Sequence, residues 1–363
     1  MNEHKVYRAI GLMSGTSLDG AIDVALIETD GHGFVRPKRY LAHPYDIDIR
    51  DKVRACFGKT IRDAQVEEAE ALVTKAHIDA VKSLGESADI IGFHGQTITH
   101  DPDNGFTWQI GGAGELAKAT GIDVIADMRQ ADISAGGQGA PLLPLYHSAL
   151  LSSHAKPVMV LNLGGVANIT YISKAGDFRR ARSLIAFDCG TAGALMDDFM
   201  VERLGLAFDE NGELASRGVA DGQIVKSFLS HSYFDKAPPK SLDRDNWSID
   251  LVAGLSDING MATLLEMSVA GVARAMDYLP EKPLHIYVAG GGRKNDFMME
   301  RLAKVLNIPV RSIDILGYDG DAMEAEGFAY LAVRSLLSLP LTLPSTTGAP
   351  EPLGGGRVFK FAT

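Results

Sequence analysis

Apolar and polar positions along the chain switch between two periods. Residues 7–13 form an apolar run, a turn-rich string follows, and residues 21–28 form a second apolar run. This predicts a strand, a glycine-bearing turn and a strand. Between 66 and 84 the apolar positions Val73, Ala76, Ile78, Val81 and Leu84 predict a helix. Residues 90–93 predict a short buried strand with His94-Gly95-Gln96-Thr97 at its C-terminal end, and 123–126 another short strand. Residues 128–144 are rich in glycine, proline and polar side chains without a period, which predicts a long functional loop or a crossover between domains. Strands are then expected at 158–163, 169–172, 184–187 and 284–289, and helices at 192–204, 256–278, 295–306 and 323–337. Residues 344–356 read as a Pro/Gly-rich tail packed as a loop.

Strands alternating with helices predict an α/β protein. Glycine-bearing turns after strands recur at Gly15, Gly164-Gly165, Gly190 and Gly290–Gly292, so two similar halves are an open expectation. The length of 363 residues calls for two domains, and 46% hydrophobic residues suffice for two cores. The charged fraction of 22% argues against disorder. A net charge of -11 speaks against a nucleic-acid partner. It does not exclude ATP, because backbone N–H groups, a few basic side chains and Mg²⁺ neutralise phosphates locally. Cys56 and Cys189 form no disulfide framework and no zinc spacing. No apolar leader or run of about 18 apolar residues appears, so no membrane partner is expected and a reducing cytoplasm fits best.

Four constellations carry candidate chemistry. In Gly11-Leu12-Met13-Ser14-Gly15-Thr16-Ser17-Leu18-Asp19-Gly20, the glycines let backbone donors approach phosphate oxygens, the hydroxyls add donors, and Asp19 suits orienting Lys, Arg or Mg²⁺-bound water. An ordinary hairpin turn uses the same residue types, and neither GxxxxGK[ST] nor GxGxxG is present. Phe187-Asp188-Cys189-Gly190 puts a carboxylate at a strand end, as a metal holder, a nucleophile activator or a plain helix cap. Cys189 has no histidine nearby in sequence and reads as a small buried residue. Gly290-Gly291-Gly292, with Asn295 after it, suits either a flat adenosine moiety or a tight strand-to-helix turn. Arg129, Asp132 and Gln138, with His94 and Gln96, form a polar set suited to a carboxylate and sugar hydroxyls, or to structural hydrogen bonds. Glu324 is either a substrate ligand or a charge favoured at a helix N-terminus.

In this order the segments resemble the acetate and sugar kinase, heat-shock chaperone and actin superfamily. Within it, Met13-Ser-Gly-Thr-Ser-Leu-Asp-Gly20, His94-Gly-Gln-Thr97, Ala135-Gly-Gly-Gln-Gly-Ala-Pro141, Asn162-Leu-Gly-Gly165, Phe187-Asp-Cys-Gly190 and Met323-Glu324 resemble the anhydro-N-acetylmuramic acid kinase family, as does Thr347-Gly348-Ala349. The matches span residues 11 to about 332.

The resemblance implies a two-domain actin-like, ribonuclease H-like fold with ATP in an interdomain cleft. The expected domains are 1–127 with about 343–363, and 128–342. It implies an enzyme that uses ATP, Mg²⁺ and water to convert 1,6-anhydro-N-acetylmuramic acid into N-acetylmuramic acid 6-phosphate, in cell-wall recycling. Asp188 is then the general base; Gly15, Thr16, Ser17, Leu18, Asp19, Gly20, Ala21, Ile22, Gly164, Gly165, Gly190, Gly290, Gly291, Gly292 and Asn295 bind ATP; and His94, Gln96, Arg129, Asp132, Gln138 and Glu324 bind the sugar. The small anhydrosugar is the expected partner, with a homodimer left open.

This chain has Thr191-Ala192-Gly193 where the family usually continues with Pro-Gly-Asn, and Glu324-Ala325-Glu326 where one acid is usual. The alternatives are a kinase of another anhydrosugar, such as levoglucosan, and a non-catalytic ATP-driven switch.

Overall fold

The computed structural model describes residues 4–15, 18, 20–174, 183–242 and 246–362. The N-terminal part supplies β1 (Tyr7–Ser14), β2 (Ala21–Thr29), β3 (Val35–Pro44), β4 (Ile90–Asp101), β5 (Phe106–Ile110) and β6 (Val124–Ala126). The middle supplies β7 (Val158–Leu163), β8 (Val166–Ile172), β9 (Leu184–Thr191), β10 (His285–Ala289) and β11 (Val310–Ser312), and the C-terminal part β12 (Arg357–Phe359). The strands form two sheets in two compact units: Met1–Ser153 with Ala322–Thr363, and His154–Asp321.

Both sheets share one connectivity. In the first unit β1, β2 and β3 form an antiparallel meander, and β4 and β6 add in parallel on the other side of β1. In the second, β7, β8 and β9 repeat the meander, and β10 and β11 add in parallel beside β7. Each half therefore carries the 3-2-1-4-5 order of the ribonuclease H-like topology. The expected likeness of the two halves lies in strand order, where the sequence alone shows it only faintly. The first sheet is extended by β12 at its edge and β5 against β4.

Each sheet is covered by a helix at very close range. Met323–Leu336 packs on β1 and β4 so tightly that a Cβ on Gly11 would lie 1.8 Å from Ala325 O and one on Gly92 2.1 Å from Phe328 O. In the second unit, Asp257–Ala275 approaches β9 until a Cβ on Gly271 would lie 2.5 Å from Cys189 O. The first unit is closed below its sheet by Ala64–Leu84, which Asp63 caps through Val66 N–H and Gly85 terminates in a left-handed conformation. Ile10, Leu12, Val24, Ile91 and Phe93 form the core there, and Leu161, Ile169, Phe187, Phe199 and Val288 that of the second unit.

The unit edges differ from the expected domains. Residues 128–153 and 322–342 belong to the first unit, because Met323–Leu336 buries its faces against β1, β2 and β4. Two strands outrun their apolar runs: β4 continues through His94–Thr97 to Asp101, and β9 through Asp188 to Thr191. The expected loop at 128–144 contains the short helix Gln130–Ser134.

Candidate active site

In the second unit β7 and β10 run parallel, and β9 joins them through two antiparallel steps. Their C-terminal ends therefore share one sheet edge, where ligands of open α/β sheets bind. Three glycine turns meet there. Ala192 N–H donates to Gly165 O at 3.2 Å and Gly193 N–H to Gly164 O at 2.8 Å, tying the turn after β7 to the turn after β9. Gly290 has φ 76°, and a Cβ on it would lie 2.6 Å from Asn162 Oδ1 and 2.7 Å from Leu163 O, so the third turn lies against the end of β7. A Cβ on Gly291 would meet nothing within 4 Å, and one on Gly164 nothing nearer than 3.7 Å. These open backbone faces fit a nucleotide lying flat against main chain.

Arg293, absent from the sequence-derived set, locks this turn. It is buried, with Nε 3.0 Å from Asp314 Oδ2 and Nη1 donating to Asp321 Oδ1 at 2.6 Å and to Gly290 O at 3.1 Å. The paired carboxylates raise its pKa against the cost of burial. Asn295, expected among the nucleotide contacts, caps Asp296–Leu306 by accepting from Met298 N–H at 2.9 Å.

Asp188 lies near the end of β9 and is 7% exposed. Leu242 N–H donates to its Oδ2 at 2.7 Å, its own N–H donates to Lys240 O at 3.1 Å, and the Tyr233 hydroxyl donates to its carbonyl at 2.5 Å. A backbone N–H donated to a carboxylate favours the charged form that a general base needs, against the opposing effect of burial. Helix capping does not account for it, because the residue before the next helix is Ala192. Cys189 is buried and donates to Ala167 O at 3.4 Å, and burial pushes its thiol pKa far up. That agrees with a packing residue. Gly190 has φ 151° and stays within β9, at the bulge where the register with β8 shifts.

In the first unit Ser14, the last residue of β1, is the cross-strand neighbour of Gln96 in the middle of β4. Gln96 donates to Gly15 O at 3.4 Å and Thr97 O at 3.2 Å. Thr16, Ser17 and Asp19, expected at the phosphates, lie outside the described residues. Leu18 closes the turn by donating its N–H to Gly15 O at 3.2 Å, but its side chain, like that of Ile22, is buried in the core. Both shape the hairpin from behind, while Gly20 has φ 92° with open space over its α-carbon. Ala21 opens β2 half-buried.

His94 and Arg129 form a directed pair. Arg129 Nε donates to His94 Nε2 at 3.0 Å, and His94 Nδ1 lies 2.7 Å from Gly95 O. A carbonyl only accepts, so Nδ1 carries the proton and the imidazole is neutral. Burial first, then the Arg129 charge, holds its pKa well below the usual histidine range. Arg129 also donates through Nη1 to Gly139 O at 2.5 Å, which aims the guanidinium.

Asp132 was expected at sugar hydroxyls, yet it is 1% exposed and accepts from Gly139 N–H at 2.7 Å and the Thr347 hydroxyl at 2.6 Å. It organises the loop that Arg129 reaches. A Cβ on Gly137 would strike its carboxylate, which explains the glycine there. Gln138 joins the same knot through its N–H to Thr347 O at 2.7 Å. Of the two acids on the covering helix, Glu324 is half-buried in the first turn, while Glu326 is buried against the Tyr146 hydroxyl. Among the described residues no group of three or more His, Cys, Asp or Glu side chains is arranged to hold a metal ion.

Two sheets of one ribonuclease H-like topology, with glycine turns at their strand ends, give the chain a two-unit, actin-like α/β fold. The anhydro-N-acetylmuramic acid kinase family matches residues 7–360. The chain belongs to that family and is an enzyme of that kind. It is 48% identical over 361 residues to the anhydro-N-acetylmuramic acid kinase of Rhizorhabdus wittichii, covering 96% of this chain and 97% of that one. With the enzyme of the same name from Zymomonas mobilis it shares 47% over 370 residues, covering 96% and 99%. A solved ROK family glucokinase from Streptomyces griseus, in complex with glucose and AMPPNP, is similar at 16% identity and a TM-score of 0.39, covering 90% and 99%.

Proposed function

We propose that this chain hydrolytically opens and phosphorylates 1,6-anhydro-N-acetylmuramic acid, giving N-acetylmuramic acid 6-phosphate and ADP. The observation that carries the reading is Asp188: a buried carboxylate that accepts a backbone N–H, on the sheet edge where three glycine turns meet. Its carboxylate takes a proton from a water as that water attacks the anomeric carbon. The bond from that carbon to the bridging 6-oxygen breaks, and the freed oxygen accepts the phosphoryl group. ATP supplies that group. The open faces of Gly164 and Gly291 support a nucleotide on the second unit, and the open face of Gly20 supports a phosphate contact on the first, with Gly15 proposed beside it.

Arg129, aimed by His94 and Gly139, is suited to the lactyl carboxylate of the sugar. Gln96, Gln138 and Glu324 complete the proposed sugar contacts, and Asp132 acts through its loop. Mg²⁺ is proposed as the companion of ATP, with Asp19 holding one of its waters. A cytoplasmic place in peptidoglycan recycling follows from the substrate.

The proposal is tested by ADP release with 1,6-anhydro-N-acetylmuramic acid, levoglucosan or no sugar present. Release stimulated by the first alone is expected. Equal stimulation by levoglucosan, which lacks the lactyl carboxylate, would overturn the substrate assignment.

A further inference from the structure

Asp188 is gripped by a segment that none of the sequence motifs includes. From Tyr233 to Leu242 the chain contributes a hydroxyl to the Asp188 carbonyl, a carbonyl to its N–H and a backbone N–H to its Oδ2. Lys240 pins that segment. Its side chain is 5% exposed, and its ammonium donates to Tyr233 O at 2.9 Å. The same nitrogen lies 4.5 Å from the Tyr233 ring centroid, 4.7 Å from that of Tyr278 and 5.8 Å from that of Phe187, the residue before Asp188. Phe187 and Tyr278 meet edge to face, and Tyr278 is itself tied to Phe234 O through its hydroxyl.

A desolvated cation among three rings is attracted to all of them. It therefore joins β9, the segment at 233–242 and the turn at Met276–Tyr278 at one point. A lysine buried only to fill space would be replaced at less cost by a neutral side chain, since desolvating the charge is unfavourable.

We propose that Lys240 is a positioning residue for Asp188, its aromatic box clamping the 233–242 segment so that Leu242 N–H fixes the carboxylate while the Tyr233 hydroxyl and the Lys240 carbonyl fix the Asp188 main chain. The proposal rests on the reading of Asp188 as the base. When the clamp is released, the Leu242 donor is lost from the charged carboxylate, and the proton affinity of Asp188 rises.

The experiment compares wild type, Lys240→Met, Tyr233→Phe and Asp188→Asn by kcat, KM for each substrate, melting temperature and the acid limb of the kcat/KM–pH profile. Lys240→Met keeps the stem and removes the charge. It is expected to lower kcat by about ten- to a hundredfold, the scale of a misplaced catalytic group. KM should hold within about twofold, and the acid limb should move to higher pH by up to about one unit. A folded Lys240→Met enzyme with an unmoved acid limb overturns the proposal, even if kcat falls, because a merely structural role lowers rate without changing the titration of the base. Should Lys240→Met not fold, Tyr233→Phe carries the test by removing one hydroxyl: a limb moved to higher pH supports the clamp and an unmoved one overturns it. Full turnover in Asp188→Asn would instead show that the base assignment has failed, and the clamp would fall with it.

Discussion

Asp188 is held by bonds to both its side chain and its main chain. Its Oδ2 accepts from Leu242 N–H, and its main chain is bonded on both sides, so an amide in its place would keep the position and lose only basicity. Asp188→Asn should therefore lower turnover by at least about a hundredfold, the usual worth of a general base. ATP affinity should stay near wild type, because the glycine turns proposed to hold the nucleotide are backbone. A large loss of nucleotide binding with turnover intact at saturation would make Asp188 a holder of metal-bound water instead. Sequence motifs find Asp188, His94 and Arg129 because glycine and charge mark them. They miss Lys240 and Arg293, whose roles depend on partners far off in sequence: Tyr278 for one, Asp314 and Asp321 for the other.

Among the elements, the buried strands and long helices are legible from period alone, while β3, β5 and the helix Ala113–Thr120 are not. β3 lies at the sheet edge with most of its residues outside the core, and Pro37, Lys38 and Arg39 hide its alternation. The ends of β4 and β9 are obscured for another reason: His94, Gln96 and Asp188 are polar, yet buried in extended chain where apolar residues would be expected. Helix Asp257–Ala275 owes its closeness to β9 to Gly271. Gly271→Ala would set a methyl 2.5 Å from Cys189 O. The expected result is a loss of roughly 1–3 kcal/mol in a urea melt, as overpacked interfaces show. Because the displaced carbonyl adjoins Asp188, kcat should fall as well. Unchanged stability would mean that helix and strand separate freely, contrary to the packing described.

Across the whole molecule, the first unit buries several neutral imidazoles. Burial lowers the His77 pKa to about 4 and that of His147 to about 3, with His94 also well below the usual range. The unfolded chain takes up these protons near pH 6.5, whereas the folded chain resists until about 4 or 3. Stability contributed by these groups is thus present above about 6.5 and is lost as pH falls through the window below it. The urea midpoint at pH 5 should lie below that at pH 7.5, and His77→Leu should flatten the difference. A midpoint that rises toward pH 5 would contradict the neutral assignment.

An isotope label follows the reaction itself. In 1,6-anhydro-N-acetylmuramic acid the 6-oxygen bridges to the anomeric carbon, so phosphorylation there requires that the bridge open and that water enter. Turnover in ¹⁸O-labelled water, sampled early because a reducing sugar slowly exchanges its anomeric oxygen, should give a product with label at the anomeric carbon and none in the phosphate. Label in the phosphate would mean that water attacked ATP. A product carrying phosphate without the elements of water would mean that the bridge survived, and either result would contradict Asp188 as the base that activates water for ring opening.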